Sequence, residues 1–230
     1  MKKVSIIIPV YNEKATIQKI INKVLKSNTL KLKREVIVID DGSTDGTRDL
    51  LKKIKNKEIK IIFFKNNKGK GSALRAGFKK ASGDIILIQD ADLEYHPSEY
   101  PKILRPIISK QVKVVYGSRE LSGKNIHSSA IFHAGGKFVT FVTNFLFKSK
   151  LSDEATGYKA FESKLLKSLP LSCKRFEFCP EVTAHVLKRG EKIMEVPILY
   201  TARHRHEGKK IKTMDGIEAI FTLFRVKFIK

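Results

Sequence analysis

The chain has no tryptophan, only two cysteines and half as many acidic residues as basic ones. Each shortage excludes something. Cys173 and Cys179 are too few for a disulfide framework and, without histidines, for a four-ligand zinc site. They read as free thiols. No uncharged apolar run approaches the roughly 18 residues that a membrane-spanning helix needs. The N-terminal run Val4-Ser5-Ile6-Ile7-Ile8-Pro9 is too short for a signal peptide and lacks a small-residue cleavage site. A cytoplasmic location is therefore expected. Acidic residues number 23 against 46 Lys and Arg, so the net charge is +23. A field of that sign favours polyanions: nucleic acid, phosphorylated small molecules or an anionic membrane face.

What is present is a chain of 230 residues, 42% apolar, long enough for a substantial core. No linker or internal repeat divides it, and one domain over residues 1–230 is expected. Its first half alternates short apolar runs with helical patterns. Strands are predicted at Val4 to Val10, Glu35 to Ile39, Ile59 to Phe64, Ile85 to Ile88 and Val112 to Tyr116. Between them, Ile17, Ile20, Ile21, Val24 and Leu25 share one helical face. Further helices are predicted at Thr44 to Ile54, Ser72 to Ala81 and Pro97 to Ile108. This alternation predicts an α/β fold: a largely parallel sheet with helices on both faces. In the second half, Pro180 to Arg189 reads as a helix and Lys192 to Tyr200 as a strand.

Ligands of such sheets sit beyond the carboxyl ends of the strands. There the scarce carboxylates cluster. Asp90-Ala91-Asp92 follows one strand, and an extended backbone would turn both carboxylates to one side. Glu94 would join them if the chain stayed extended. Oxygen ligands at that spacing suit Mg²⁺ or Mn²⁺, while a plain turn explains the aspartates equally well. Asp40-Asp41-Gly42-Ser43-Thr44-Asp45-Gly46-Thr47 closes a second strand. Helix capping explains Thr44 and Asp45 but not the adjacent pair, one of which can accept hydrogen bonds from a base or ribose. The loop Lys65-Asn66-Asn67-Lys68-Gly69-Lys70-Gly71-Ser72 enters a helix and reads either as a phosphate contact or as a solvated basic turn. It lacks the P-loop spacing.

Together these pieces resemble the family 2 inverting glycosyltransferases of GT-A fold. The matching residues are Pro9-Val10-Tyr11-Asn12-Glu13, the Asp40 to Thr47 run, Gly69-Lys70-Gly71, Gly83-Asp84 and Asp90-Ala91-Asp92-Leu93-Glu94. Within the family the sequence is most similar to the dolichyl-phosphate mannose synthase and polyprenyl-phosphate branch. That likeness rests on Tyr116-Gly117-Ser118-Arg119, Asp153, Thr156-Gly157-Tyr158-Lys159, Phe178, Pro180 to Ala184, Lys188-Arg189-Gly190 and Glu195-Val196-Pro197-Ile198. It departs at Ser128-Ser129-Ala130, where branch members carry basic or aromatic residues, and in the loop of His204 and His206, which lacks an aromatic.

The resemblance implies a GT-A, Rossmann-like fold, with residues 1–120 as the nucleotide-sugar half and 121–230 as the acceptor half. It implies that Pro9, Tyr11, Glu13 and Asp41 line the nucleoside pocket, and that Asp90, Ala91 and Asp92 meet the donor diphosphate. Asp90, Asp92 and Glu94 would ligate Mg²⁺ or Mn²⁺, and Asp92 and Arg119 would be the catalytic pair. Arg203 and Lys210 would close over the phosphates. The implied reaction moves mannose or glucose from GDP-mannose or UDP-glucose to a polyprenyl phosphate. A lipid phosphate is already ionised, so no general base is nominated. A hydroxyl acceptor would need one, with Asp153, Glu177 and Glu181 as candidates.

Two segments suit an interfacial role: Phe132 to Phe147 with Lys137, Lys148 and Lys150, and Ile217 to Phe228 with Arg225, Lys227 and Lys230. Both read equally well as core helices or a dimer face. The expectation is peripheral attachment to the cytoplasmic side of a membrane, with a homodimer or a separate membrane-anchor subunit compatible. A nucleic-acid module is the rival from another class, but no nucleic-acid-binding motif is present and the basic residues are dispersed.

Overall fold

A computed structural model describes residues 1–123, 125, 129–203 and 213–229. Strands β1 (Lys3–Val10), β2 (Lys33–Asp40), β3 (Ile59–Phe63) and β4 (Ile85–Ile88) alternate with helices α1 (Ile17–Leu25), α2 (Thr47–Lys52) and α3 (Lys70–Lys80). A short 3₁₀ turn, Pro97–Glu99, leads into α4 (Tyr100–Ile108). Then come β5 (Val114–Ser118), α5 (Ala130–Phe147), β6 (Lys159–Glu162), α6 (Ser163–Ser168), α7 (Phe178–Lys188), β7 (Ile193–Pro197) and α8 (Thr213–Phe228).

Among the described residues seven strands form one sheet in the order β3-β2-β1-β4-β6-β5-β7. Neighbours run parallel except at β6, which is antiparallel to both β4 and β5. The expected parallel sheet with helices on both faces is therefore present, made mixed by a strand that the sequence pattern does not announce. β6 has only four residues and contains Lys159, which is wholly buried. Its ammonium lies 3.4 Å from the Tyr116 ring centroid and donates to the Glu154 carbonyl at 2.7 Å. A cation satisfied in this way breaks the apolar run that marks the other central strands.

Register fixes where the site must lie. Val10 pairs with Asp40, Asp40 with Phe63 and Ile7 with Ile88, so β1, β2 and β4 end at one edge. The sheet is buried on both faces. Ile6 and Ile8 pack against α1 and α4 on one side, and Ile7, Ile37 and Ile39 against α3 and α7 on the other. A third cluster joins α5, α7 and α8 through Val139, Leu146, Ala184, Leu223 and Val226. The predicted helix at Thr44 to Ile54 shortens to α2, because Gly46 at φ +93° turns the chain immediately before it.

Candidate active site

The loops beyond β1 and β2 are stitched together. Backbone N–H groups of Asn12 and Glu13 donate to the hydroxyls of Ser43 and Thr47, each at 2.9 Å. The two adjacent aspartates divide their work. Asp40 is fully buried and receives Arg48 at 2.8 Å, so it is structural. Asp41 accepts the N–H groups of Lys68 at 2.7 Å and Gly69 at 2.8 Å. Burial lifts the Asp41 carboxyl above its ordinary range against the pull of those two donors.

The Gly/Lys loop is not an anion cradle. Two of its N–H groups go to Asp41, and those of Gly71 and Ser72 go to the carbonyls of Arg175 and Lys174 at 3.2 and 3.0 Å. Only glycine permits that approach: a Cβ on Gly71 would stand 2.6 Å from the Cys173 carbonyl. Instead the loop delivers a side chain. The Lys70 ammonium bonds both oxygens of Asp90, at 2.7 and 2.8 Å.

Beyond β4 the chain does not stay extended. It turns at Ala91 and Asp92, and Leu93 adopts φ +67°. Glu94 therefore leaves the line of Asp90 and Asp92. It accepts the Tyr200 hydroxyl at 2.9 Å and the Arg203 backbone N–H at 2.7 Å. Asp92 receives the Arg203 guanidinium at 3.3 Å and the Glu94 N–H at 3.1 Å. Burial, then the neighbouring charges of Asp90 and Glu94, push the Asp92 carboxyl up to about 7 against the attraction of Arg203. Arg203 also reaches Glu13 at 3.1 and 3.2 Å, spanning the loops after β1 and β4.

Past β5, Arg119 is locked to Asp153 by three bonds. Its backbone N–H donates at 2.9 Å, its Nε and Nη2 at 2.7 Å each. Asp153 is set in turn by Glu195, which accepts the N–H groups of Ser152 and Asp153 at 2.6 and 2.9 Å. The guanidinium of Arg119 lies 5.3 Å from the Tyr200 ring centroid. Burial alone would raise the Asp153 carboxyl, but the adjacent Arg119 outweighs it and holds it below the usual carboxylate range.

Glu13, Asp41, Lys70, Asp90, Asp92, Glu94, Arg119 and Arg203 border one cleft of about 1280 Å³. It begins at Pro9, Tyr11, Glu13 and Asp41, passes Asp90, Ala91, Asp92, Glu94 and Arg203, and reaches Arg119. From there it continues between Phe132, Gly135 and Gly136 of α5 and Gly216 and Ala219 of α8. Typical small-ligand pockets span roughly 300–1,000 Å³, so this one has room for two substrates. Lys210, His204 and His206 lie outside the described residues.

A family model for glycosyl transferase family 2 matches residues 5–169, taking in every strand end that borders the cleft from Pro9 to Arg119. The chain belongs to that family. As a family 2 glycosyltransferase it is 31% identical to the UDP-N-acetylglucosamine–dolichyl-phosphate N-acetylglucosaminyltransferase of Methanococcus voltae, over 100% of this chain and 98% of that protein. It is 28% identical to the dolichol-phosphate mannosyltransferase of Pyrococcus furiosus over 90% of this chain, but spans only 59% of that longer protein. Its fold matches the glucosyl-3-phosphoglycerate synthase of Mycobacterium tuberculosis, solved with Mn²⁺, uridine diphosphate and phosphoglyceric acid. There the TM-score is 0.75 at 21% identity, over 100% of this chain and 80% of that one. The architecture is the GT-A fold.

Several residues of this glycosyltransferase site are not evident from spacing. Lys70 stands inside the Gly69-Lys70-Gly71 run, yet its bond to Asp90 appears only in three dimensions. Gly157 leaves room for Asp90, whose Oδ2 would stand 2.6 Å from a Cβ at that position. Its N–H donates to the Tyr95 hydroxyl at 2.9 Å. The three candidate bases are all engaged. Glu181 accepts Ser172 and Cys173 N–H groups at 2.9 and 3.0 Å, and Glu177 those of Lys174 and Arg175 at 2.9 and 3.1 Å. Asp153 holds Arg119.

Proposed function

We propose that this glycosyltransferase moves a hexosyl or N-acetylhexosaminyl group from a nucleoside-diphosphate sugar to a polyprenyl phosphate, with inversion. The observation that carries the reading is the continuity of the cleft. Strand-end carboxylates and Arg203 lie at one end, Arg119 in the middle and an apolar groove between α5 and α8 at the other. The full-length relative and the mannosyltransferase, both named for dolichyl phosphate, support it.

In this reading Pro9, Tyr11, Glu13 and Asp41 hold the nucleoside. Among the described residues no three His, Cys, Asp or Glu side chains converge on a cation position. The donor set nevertheless fits Mg²⁺ or Mn²⁺, because such ions commonly take one or two carboxylates and complete their shell with substrate phosphates and water. Asp92, with Asp90 beside it, would hold the ion. When bound, it stabilises the negative charge that grows on the leaving diphosphate. Arg203 adds a cation at the same place, where charge develops rather than where it already stands. Arg119, pre-oriented by Asp153, faces the acceptor phosphate. That phosphate is an anion at neutral pH and attacks the anomeric carbon without surrendering a proton.

The acceptor's lipid requires attachment to a membrane surface. No helix among the described residues is long and apolar enough to cross one. Yet Phe138, Phe141 and Phe145 of α5 and Ile217, Phe221, Phe224 and Phe228 of α8 are exposed, Phe145 to 77%. Lys137, Lys148 and Lys150 stand beside them, exposed as well. An aromatic face ringed by cations suits headgroup-level insertion. A donor panel with polyprenyl phosphate, with and without EDTA, tests the whole reading. One donor should yield a metal-dependent product that extracts into organic solvent. Transfer only to a soluble saccharide would overturn it.

A further inference from the structure

The carboxylates of the cleft already hold cations, and these belong to the protein. Asp90 has both oxygens on the Lys70 ammonium. Its Oδ2 lies over Gly157, where a Cβ would stand 2.6 Å from it, so the glycine leaves the carboxylate room to meet Lys70. Asp92 is held differently. Its contact with Arg203 is longer, 3.3 Å, and the same guanidinium divides itself between Asp92 and Glu13. Glu94 is turned aside by Leu93 at φ +67° and occupied by Tyr200 and Arg203.

We infer that Lys70 and Arg203 are resident counter-cations that make divalent-cation binding conditional on the nucleoside diphosphate, Lys70 staying on Asp90 and Arg203 exchanging. The inference rests on the donor reading above. A divalent ion arriving alone meets an ammonium less than 3 Å from one carboxylate and a guanidinium on the other. Like charges at such distances repel strongly in a partly desolvated cleft. A diphosphate changes the balance. It offers Arg203 a fresh anion and brings its own oxygens to the ion, so Asp92 is released as the diphosphate enters. Lys70 has no such exchange: its head already contacts both oxygens of Asp90, at shorter distances than Arg203 keeps to Asp92. Lys70 is thus a positioning residue. It keeps Asp90 neutralised and leaves Asp92 as the carboxylate that the ion can take.

Titration of Mn²⁺ into the protein, followed by the loss of the free-ion magnetic resonance signal, reads this without turnover. For the wild type, Mn²⁺ alone should bind weakly, and addition of UDP or GDP should tighten it by on the order of tenfold or more. Lys70→Met should gain nucleotide-free Mn²⁺ binding by about the same factor, because Asp90 is freed. Lys70→Arg, which keeps the charge, should behave as wild type. Arg203→Gln should also bind Mn²⁺ better alone but show a smaller gain from nucleotide. Thermal melting of each variant shows that it is folded. Equal nucleotide-free Mn²⁺ affinity in wild type and a folded Lys70→Met would overturn the inference. Failure of UDP, GDP and their sugars to bind the wild type would instead overturn the donor reading, and the Mn²⁺-alone comparison would still stand on its own.

Discussion

Asp92 sits where burial and two like charges oppose its ionisation, and Arg203 is the group that opposes them. Replacing it by Asn removes charge without removing volume. Asp92→Asn is expected to lower turnover by about 10²–10³-fold while the protein stays folded, checked by activity beside a thermal melt at neutral pH. Glu35 shows the opposite balance, far from the cleft. Burial would raise its carboxyl, but Lys60, Ser5 and Ser82 prevail and bring it down to about 2. A carboxylate whose folded value is depressed adds stability above its unfolded value, and that stability fades as pH falls through the window between the two. Glu35→Gln should therefore cost about 1–3 kcal/mol at pH 7. The difference from wild type should close as pH falls from 4.5 toward 2. Chemical denaturation at several pH values measures both. A residue-by-residue reading singles out Asp41, Asp90 and Asp92 because carboxylates are scarce and these follow strands, whereas Arg119 comes only from the family resemblance. It does not find Lys70, one lysine among many, whose role depends on reaching across to Asp90.

Helix α7 illustrates how an element carries a site without entering its chemistry. Glu181, 1% exposed in its first turn, ties down Ser172 and Cys173, and their neighbours Lys174 and Arg175 cap α3 through their carbonyls. α3 in turn presents Lys70. Were Glu181 a base, its loss would abolish activity at unchanged stability. In the structural role described, Glu181→Ala should instead lower stability by about 1–3 kcal/mol, because the buried Cys173 N–H is left without its acceptor and the two Ser172 donors lose theirs. Helices α5 and α8 resolve a choice that periodicity leaves open. Val139 and Leu146 of one, and Leu223 and Val226 of the other, are core, while Phe141, Phe145 and Phe221 are exposed to 64%, 77% and 68%. Each helix thus has one face in the core and one face exposed. Phe141→Ser with Phe221→Ser should reduce co-sedimentation with vesicles several-fold and leave the melting temperature nearly unchanged, since exposed rings contribute little to the core. Elements with long apolar runs were legible; β6 was not, because four residues with a buried lysine carry no period. The turn at Leu93 was not legible either, since a left-handed leucine is disfavoured by its own side chain and is held there by tertiary contacts.

At the scale of the whole molecule, the net charge of +23 acts at longer range than any single contact. Two forces would then hold the protein to a bilayer, and they respond differently to salt. Each Lys or Arg near an anionic surface contributes ~1 kcal/mol at low ionic strength. Raising salt from about 0.1 M to 1 M shortens the screening length from about 10 Å to 3 Å and removes most of that. Insertion of aromatic rings is apolar and survives screening. Wild-type binding to vesicles containing anionic lipid should therefore fall steeply with salt to a plateau above zero. The Phe141→Ser, Phe221→Ser variant should keep the steep part and lose the plateau. Neutral vesicles should show the plateau alone. Nucleic acid offers a control of the same sign of charge. Its binding depends on counterion release and should vanish over this salt range with no plateau. If vesicle binding also vanished completely, the aromatic face would not be inserting, and the attachment would be electrostatic throughout.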